Sequence, residues 1–438
     1  MNDEHAASIT TTMHSIATML AGFQPPAAYA GRPLATVSDW DGFVRLAKLH
    51  TLTPLLHGVA RACGGLPQAP SGVQSELSTA YENTRSRAEW MMPALTELVD
   101  ALSAARLRFV ILKGFPLIDH LYGDRGLRTT FDIDFWLPDA ADAQRAAEIL
   151  DNQLGYEITP GDHSVPVHRH LAPRWRPAPL APEGDYYNPR LPWTVEAHTA
   201  LWETKWWGLT LGSLDGFWDR HTIRRVDGRD IPVPCDVDNL LYLSMHQMLH
   251  IMANTARLIH LYDIHVLASR LPVADWSTAW DRAEASGLQS FLTAAVSLSR
   301  SIFATPLDPE AALALDARLA QGPLAAWLTG KAPDEVLAQD HRTPGRGTRL
   351  RLAVLSTYFA KGGRAKAWAF MQPVLMVLFP PAWYIRSKYK LPAHTHSLLP
   401  LYYLRHIATG VAELSARELR KLMSRRHQSV SGIKHMRR

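Results

Sequence analysis

Two aspartates one residue apart, Asp132 and Asp134, and a glutamate farther along, Glu196, are the residues of this chain best placed to do chemistry. The first two lie in the stretch Phe109 to Leu137, FVILKGFPLIDHLYGDRGLRTTFDIDFWL. It reads as an apolar strand, a Lys-Gly turn, a short helix, a loop carrying Arg128 and a second strand beginning Asp132-Ile133-Asp134. Alternate residues of a strand share a face, with Cα atoms roughly 7 Å apart. Two carboxylates so placed can converge on one hard cation, and oxygen-only ligation of that kind suits Mg²⁺ with a substrate phosphate. Ile133, Phe135 and Leu137 alternate with Asp132, Asp134 and Trp136, which predicts an apolar face toward a core and an acidic face away from it. The run Thr194-Val195-Glu196-Ala197-His198 alternates again and puts Thr194, Glu196 and His198 on one face, so Glu196 is expected to complete the acidic cluster. A bare Asp-x-Asp is more often a solvated edge strand. The preceding strand-turn-helix unit and the later Glu-x-His strand argue against that reading.

The elements that must position these side chains are visible on either side. Pro138 and Asp139 end the acidic strand and start a helix predicted over Ala140 to Leu154, which Gly155 stops. Tyr156-Glu157-Ile158 reads as a short strand, giving β-α-β-α-β in outline and an α+β class. Residues 1–100 read as an N-terminal helical region whose last helix carries Leu95, Leu98, Val99, Leu102 and Leu107. Residues 101–235 read as the catalytic core, with a small mixed sheet and its helices. Residues 236–330 form a helical domain, and 331–438 a C-terminal helical region with a basic tail.

The same residues carry a family resemblance. Leu112-Lys113-Gly114, Leu121-Tyr122, Arg128, Asp132-Ile133-Asp134 and Val195-Glu196-Ala197-His198 resemble the uncharacterised nucleotidyltransferase family of bacteria, a branch of the polymerase-β-like nucleotidyltransferase superfamily. The similarity extends to Leu240 to Leu267, with His246, His250 and Asp263, and to Ala47-Lys48-Leu49-His50 and Pro54-Leu55-Leu56. It spans roughly residues 40 to 300. The chain departs from the wider superfamily in its turn, Lys113-Gly114 instead of Gly-Gly or Gly-Ser, and in the 18 residues from Gly114 to Asp132.

The resemblance implies transfer of a nucleoside monophosphate from an NTP, with pyrophosphate leaving and Mg²⁺, two ions expected, about 3.5–4 Å apart. Asp132 and Asp134 are then expected to bridge both ions, and Glu196 to hold the one nearest the acceptor. Gly114 would allow close approach to the triphosphate, and amides at the start of the Pro116 helix favour anions. Lys113 would meet the β- or γ-phosphate. Arg128 would clamp a phosphate with two parallel hydrogen bonds, or else pair with Asp132 or Asp134. His198, His246 and His250 are candidates for supporting positions around the site. The implied acceptor is a natural product, a peptide, a sugar or a protein side chain, as in tailoring enzymes. Two alternatives keep the site: γ-phosphoryl transfer, as by a kinase, and a non-catalytic nucleotide-binding or antitoxin-like regulator.

Other signals are weaker. His246 and His250 stand at helical i, i+4 spacing, but Gln247 replaces the glutamate a zinc protease needs after its first histidine. They read equally as a satisfied interhelical pair. His163, His168 and His170, with Arg169, Arg174, Trp175 and Arg176, make a basic aromatic segment that reads as a surface loop. Trp202, Trp206, Trp207, Phe217 and Trp218 read as packing against the C-terminal helices. Cys63 and Cys235 have no partners at metal spacing and fit free thiols in a reducing compartment. The N-terminus lacks a basic segment before an apolar one, so no signal peptide is expected and a cytoplasmic location follows. The composition, 47% apolar and 20% charged, is that of an ordinary globular protein. The net charge of +5 is concentrated at the end: Arg417 to Arg438 holds eight Lys or Arg and one Glu, leaving the rest slightly acidic. A nucleic-acid partner is therefore not expected, except through that tail. The segment Val374 to Tyr389 reads as a packed helix, and no apolar run reaches the length of a membrane span.

Overall fold

The sheet that carries the acids forms because short β-rich runs alternate with helices long enough to cover them. The computed structural model describes residues 3–30, 34–159, 171–176, 187–202, 214–253, 255–321 and parts of 357–409. It begins with α1 (Asp3–Gly22), a two-residue pairing of β1 (Phe23–Gln24) with β2 (Ala28–Tyr29), α2 (Trp40–Leu49), α3 (Thr53–Ala62) and the long α4 (Ser71–Ala104). Asp39 caps α2 by accepting from the Gly42 amide at 2.8 Å. The central part follows as β3 (Val110–Leu112), α5 (Gly114–Leu121), β4 (Asp132–Trp136), α6 (Ala140–Asn152), β5 (Glu157–Ile158), β6 (Arg174–Trp175) and β7 (Thr194–His198). Asp139 caps α6 through the Ala141 amide, and Gly155, at φ 66°, turns the chain after it.

These five strands make one mixed sheet in the order β3-β4-β7-β6-β5. β3 and β4 are antiparallel, β4 and β7 parallel, and β6 runs antiparallel to both of its neighbours. The predicted β-α-β-α-β succession is present, but β5 goes to the far edge and β7 takes the place beside β4. A hairpin of β8 (Thr222–Val226) and β9 (Arg229–Val233) packs near β3 and was not anticipated. Its Asp227-Gly228 turn has φ 46° and 75°, the two positive values a tight hairpin of matching twist requires. Arg125 joins it to α5 by bonding both Asp119 and Asp227.

Helices α7 (Asp236–Ala253), α8 (Leu258–Arg270), α9 (Val273–Ala285), α10 (Gln289–Phe303) and α11 (Pro309–Gln321) complete the main body, and α12 (Gly363–Leu378) lies beyond. Buried apolar side chains from Met13 to Leu315 form one connected cluster, so the N-terminal helices, the sheet and α7–α11 share a core. Among the described residues no helix is long and apolar enough to cross a membrane.

Candidate active site

The parallel register of β4 and β7 fixes the acids. Asp132 stands opposite Thr194 and Asp134 opposite Glu196, so the side chains of Asp134 and Glu196 leave the same face side by side. One ligand atom each from Asp134, Glu196 and His198 lies within 4.8 Å of the others. Thr194 Oγ1 donates to Glu196 Oε1 at 3.4 Å and holds that carboxylate in place. The strand pattern predicts an acidic face away from the core, yet Asp134 is only 2% exposed. Side chains of α7 and α8 meet Asp132 and Glu196 across one cavity, a long-range arrangement that period-2 alternation does not encode.

Burying Asp134 requires counter-charge. Lys113 supplies it, with its Nζ in direct contact with Asp134 Oδ2 and 3.9 Å from Asp132 Oδ2. His198 Nε2 lies 3.4 Å from Asp134 Oδ1 and 3.9 Å from Glu196 Oε2. Burial alone would raise the Asp134 carboxyl, but Lys113 and His198 outweigh it and hold it well below the usual carboxylate range. Asp132 moves the other way, raised by burial and by the charge of Asp134. Burial opposes the charge of Lys113, yet Asp132 and Asp134 together hold its ammonium above the ordinary value. The two neighbouring acids thus have their affinities for a proton pushed apart, a pattern typical of reactive carboxylate pairs.

The strand-to-helix turn is strained. Lys113 sits at φ 47°, ψ −148°, a region that is essentially glycine's, and Gly114 follows at φ 58°. The turn aims the lysine at the acids and opens the first turn of α5 onto a cavity of about 390 Å³. Besides Lys113 and Gly114, its walls include Asp132, Glu196, Arg128 and Thr130 from the sheet side. From α7, α8 and the residues between them come His246, His250, Arg257 and His260. The volume falls within the roughly 300–1,000 Å³ typical of small-ligand sites.

Arg128 reaches this wall, but its paired hydrogen bonds go elsewhere. Nε and Nη2 donate to the two oxygens of Asp263 at 2.8 and 2.7 Å, and Tyr122 Oη donates to the same carboxylate at 2.6 Å. The expected pair with Asp132 or Asp134 is replaced by this one with Asp263. A fully buried aspartate on α8 takes the fork, and each of the two buried charges compensates the other.

Arg87, on α4, is 1% exposed and braces the chain just ahead of β4 and β7. It donates to the carbonyls of Thr130 at 2.8 Å, of Leu191, and of Pro192 at 3.4 Å. Burial lowers its guanidinium to about 10.

On the opposite wall His250 Nε2 lies 3.3 Å from His246 Nε2, and His250 Nδ1 lies 2.8 Å from Thr255 Oγ1. His260, one helix on, joins them, its ring centre 5.4 Å from each of the other two. Burial, followed by the charges of His250, Arg128, Lys113 and Arg257, pushes the His260 imidazole well below its ordinary value. Of the residues that line the cavity, His260, Arg257, Thr51 and Thr130 are not legible in the sequence pattern, save that His260 stands three residues before Asp263 on one helix face.

The weaker sequence signals resolve unevenly. Arg174 bonds both oxygens of Asp151, and Arg176 pairs with Glu97 and lies over Tyr156. Phe217 meets Trp136 edge-on at 5.1 Å, so the described end of this aromatic segment reaches the acid-bearing strand. Both cysteines are free. His163, His168, Arg169, His170, Trp206, Trp207 and the basic tail 417–438 lie outside the described residues.

Sequence comparison gives the class of this chain. It belongs to the uncharacterised nucleotidyltransferase family, whose model matches residues 36–304. Among solved structures it is similar to an antigenic nucleotidyltransferase-like protein from Paracoccidioides brasiliensis, at 14% identity and a TM-score of 0.28, over 49% of this chain and 93% of that one. No curated protein matches it.

The donors fit a hard divalent ion. The carboxylates of Asp134 and Glu196 converge with one His198 nitrogen, Asp132 stands on the same strand face as Asp134, and the Lys113 ammonium already sits against Asp132 and Asp134 as a cation does.

Proposed function

We propose that the protein is a Mg²⁺-dependent enzyme that moves a nucleoside monophosphate from an NTP to an acceptor hydroxyl or similar nucleophile. One observation carries this reading. A single cavity gathers the carboxylates of Asp132 and Glu196, the start of α5 at Gly114, and the cationic and imidazole side chains of Lys113, Arg257, His246, His250 and His260. A triphosphate needs both: oxygen ligands for its metal and positive charge with amides for its remaining oxygens.

Asp132, Asp134 and Glu196 would hold the ions. These would neutralise charge on the reacting phosphate and on the leaving pyrophosphate. The Gly114 amide end of α5 receives a phosphate oxygen without a Cβ in the way. Arg257 and the imidazoles of His246, His250 and His260 face the distal phosphates. Glu196 takes the proton of the acceptor oxygen as that oxygen attacks the α-phosphorus. The α-phosphorus to bridging-oxygen bond breaks, and its electron pair leaves with pyrophosphate. Arg128, locked by Asp263, shapes the wall and adds fixed positive charge rather than clamping a phosphate.

The test is label position. Enzyme, Mg²⁺ and cell extract as acceptor pool are incubated with NTPs labelled at the α- or the γ-phosphate. Transfer of α-label with release of pyrophosphate is expected, and Asp132→Asn or Glu196→Gln abolishes it while the circular dichroism melt is kept. Transfer of γ-label instead identifies a kinase and refutes nucleotidylation. Saturable NTP binding with no transfer in any pool marks a non-catalytic binder.

A further inference from the structure

We infer that His246, His250 and His260 form a second metal centre, selective for a borderline transition ion such as Zn²⁺ or Co²⁺ and chemically distinct from the carboxylate pole of the same cavity. One ring nitrogen from each histidine lies within 4.8 Å of the other two. Two imidazole nitrogens bound to one tetrahedral Zn²⁺ at about 2.0–2.1 Å stand about 3.3–3.4 Å apart. His246 Nε2 and His250 Nε2 are already 3.3 Å apart. Bringing the third nitrogen to that spacing moves it by at most about 1.5 Å, within reach of a side-chain adjustment.

The supporting contacts point the same way. Helical i, i+4 spacing puts His246 and His250 on one face of α7, and α8 delivers His260 against them. The hydroxyl of Thr255 lies 2.8 Å from His250 Nδ1. With that nitrogen donating, Nε2 keeps its lone pair for a metal, the usual role of a partner behind a ligating histidine. His260 Nδ1 is buried with no hydrogen-bond partner among the described residues. A buried ring nitrogen left so costs free energy that coordination recovers. Imidazole alone suits Zn²⁺, Co²⁺, Ni²⁺ or Cu²⁺, whereas Mg²⁺ prefers oxygen. Lys113, Arg128 and Arg257 line the cavity and oppose a bound cation, while Asp132 and Glu196 offset part of that field. Three protein ligands leave a fourth position on the cavity for water or an anionic oxygen. The centre does not depend on nucleotidyl transfer being the reaction.

The test is titration of the full-length protein with Co²⁺ in excess Mg²⁺. The expected result is an intense visible absorption band saturating at one equivalent, displaced by Zn²⁺ and unaffected by Mg²⁺. His260→Ala and His246→Ala should each weaken Co²⁺ binding by at least about tenfold, whereas Asp132→Asn and Glu196→Gln leave the band intact. X-ray absorption on the wild-type protein loaded with one equivalent of Zn²⁺ should show three imidazole nitrogens, a readout that holds even where a variant misfolds. A Co²⁺ spectrum lost in Asp132→Asn but kept in His260→Ala assigns the ion to the carboxylates and overturns the proposal. So does the absence of a saturable band, or an absorption spectrum of oxygen ligands alone.

Discussion

Replacing Lys113 with methionine isolates the charge that lets Asp134 be buried. The lysine side chain is 17% exposed and that of Asp134 1%, so the pair is screened little by water. Removing one partner of a buried ion pair costs about 3–5 kcal/mol. His198 remains 3.4 Å from Asp134 and keeps part of the compensation, which puts Lys113→Met near the lower end, about 3 kcal/mol. For a core of this size that is a fall in melting temperature of roughly 6 °C. Differential scanning calorimetry at pH 7 reads it directly. The double variant Lys113→Met with Asp134→Asn removes both charges and should regain most of the loss.

The pH profile adds a second reading of the same pair. Asp134 has a folded pKa below its unfolded value near 3.9. Its contribution is therefore present above that value and is lost as pH falls through the folded pKa. Lys113 has a folded pKa above its unfolded value near 10.4. Its contribution is present below that value and is lost as pH rises through the folded pKa. The gap between wild type and Lys113→Met should thus stay flat from about pH 5 to 9 and narrow beyond both ends. A melting temperature for Lys113→Met within about 1 °C of wild type at pH 7 would refute the buried pair.

Three further outcomes follow from other parts of the site. Gly114→Ala keeps the cavity free of clashes, its added Cβ meeting Thr130 Oγ1 at 3.8 Å, but forces alanine to φ 58°. Calorimetry should show a loss of about 1–2 kcal/mol from backbone strain. Asp263→Asn strips the charge that faces the Arg128 fork and should cost about 3–5 kcal/mol in urea unfolding. Arg128→Lys should fail to restore two parallel bonds and fall between Asp263→Asn and wild type. Saturating Mg²⁺ with a non-hydrolysable NTP should raise the melting temperature of wild type, and the rise should vanish in Asp132→Asn with Asp134→Asn.

The sequence exposed the acids because a strand repeats every two residues, so Asp132, Asp134 and the Thr194-Glu196-His198 face could be read directly. The Lys113-Gly114 turn and the cap at Asp139 were equally local and equally legible. The pairing that makes a site of them was not. β7 joins β4 from 62 positions away, past β5 and β6, and no spacing in the chain encodes that register. Arg128 and Asp263 are 135 positions apart, so the arginine looked available for phosphate when it was already engaged. The third histidine failed for the same reason: helical periodicity exposes partners on one helix, and His260 belongs to the next.

Arg87 gives the architecture a consequence of its own. Its one guanidinium gathers the carbonyl of Thr130, just ahead of β4, and those of Leu191 and Pro192, just ahead of β7. The two acid-bearing strands are therefore moored at their starting ends to a common post on a 34-residue helix. A slide of either strand by one residue would have to tear a carbonyl from a buried cation as well as break the ladder. The distance between Asp134 and Glu196 is thus gauged from the strands' starting ends, by a residue outside the cavity's lining.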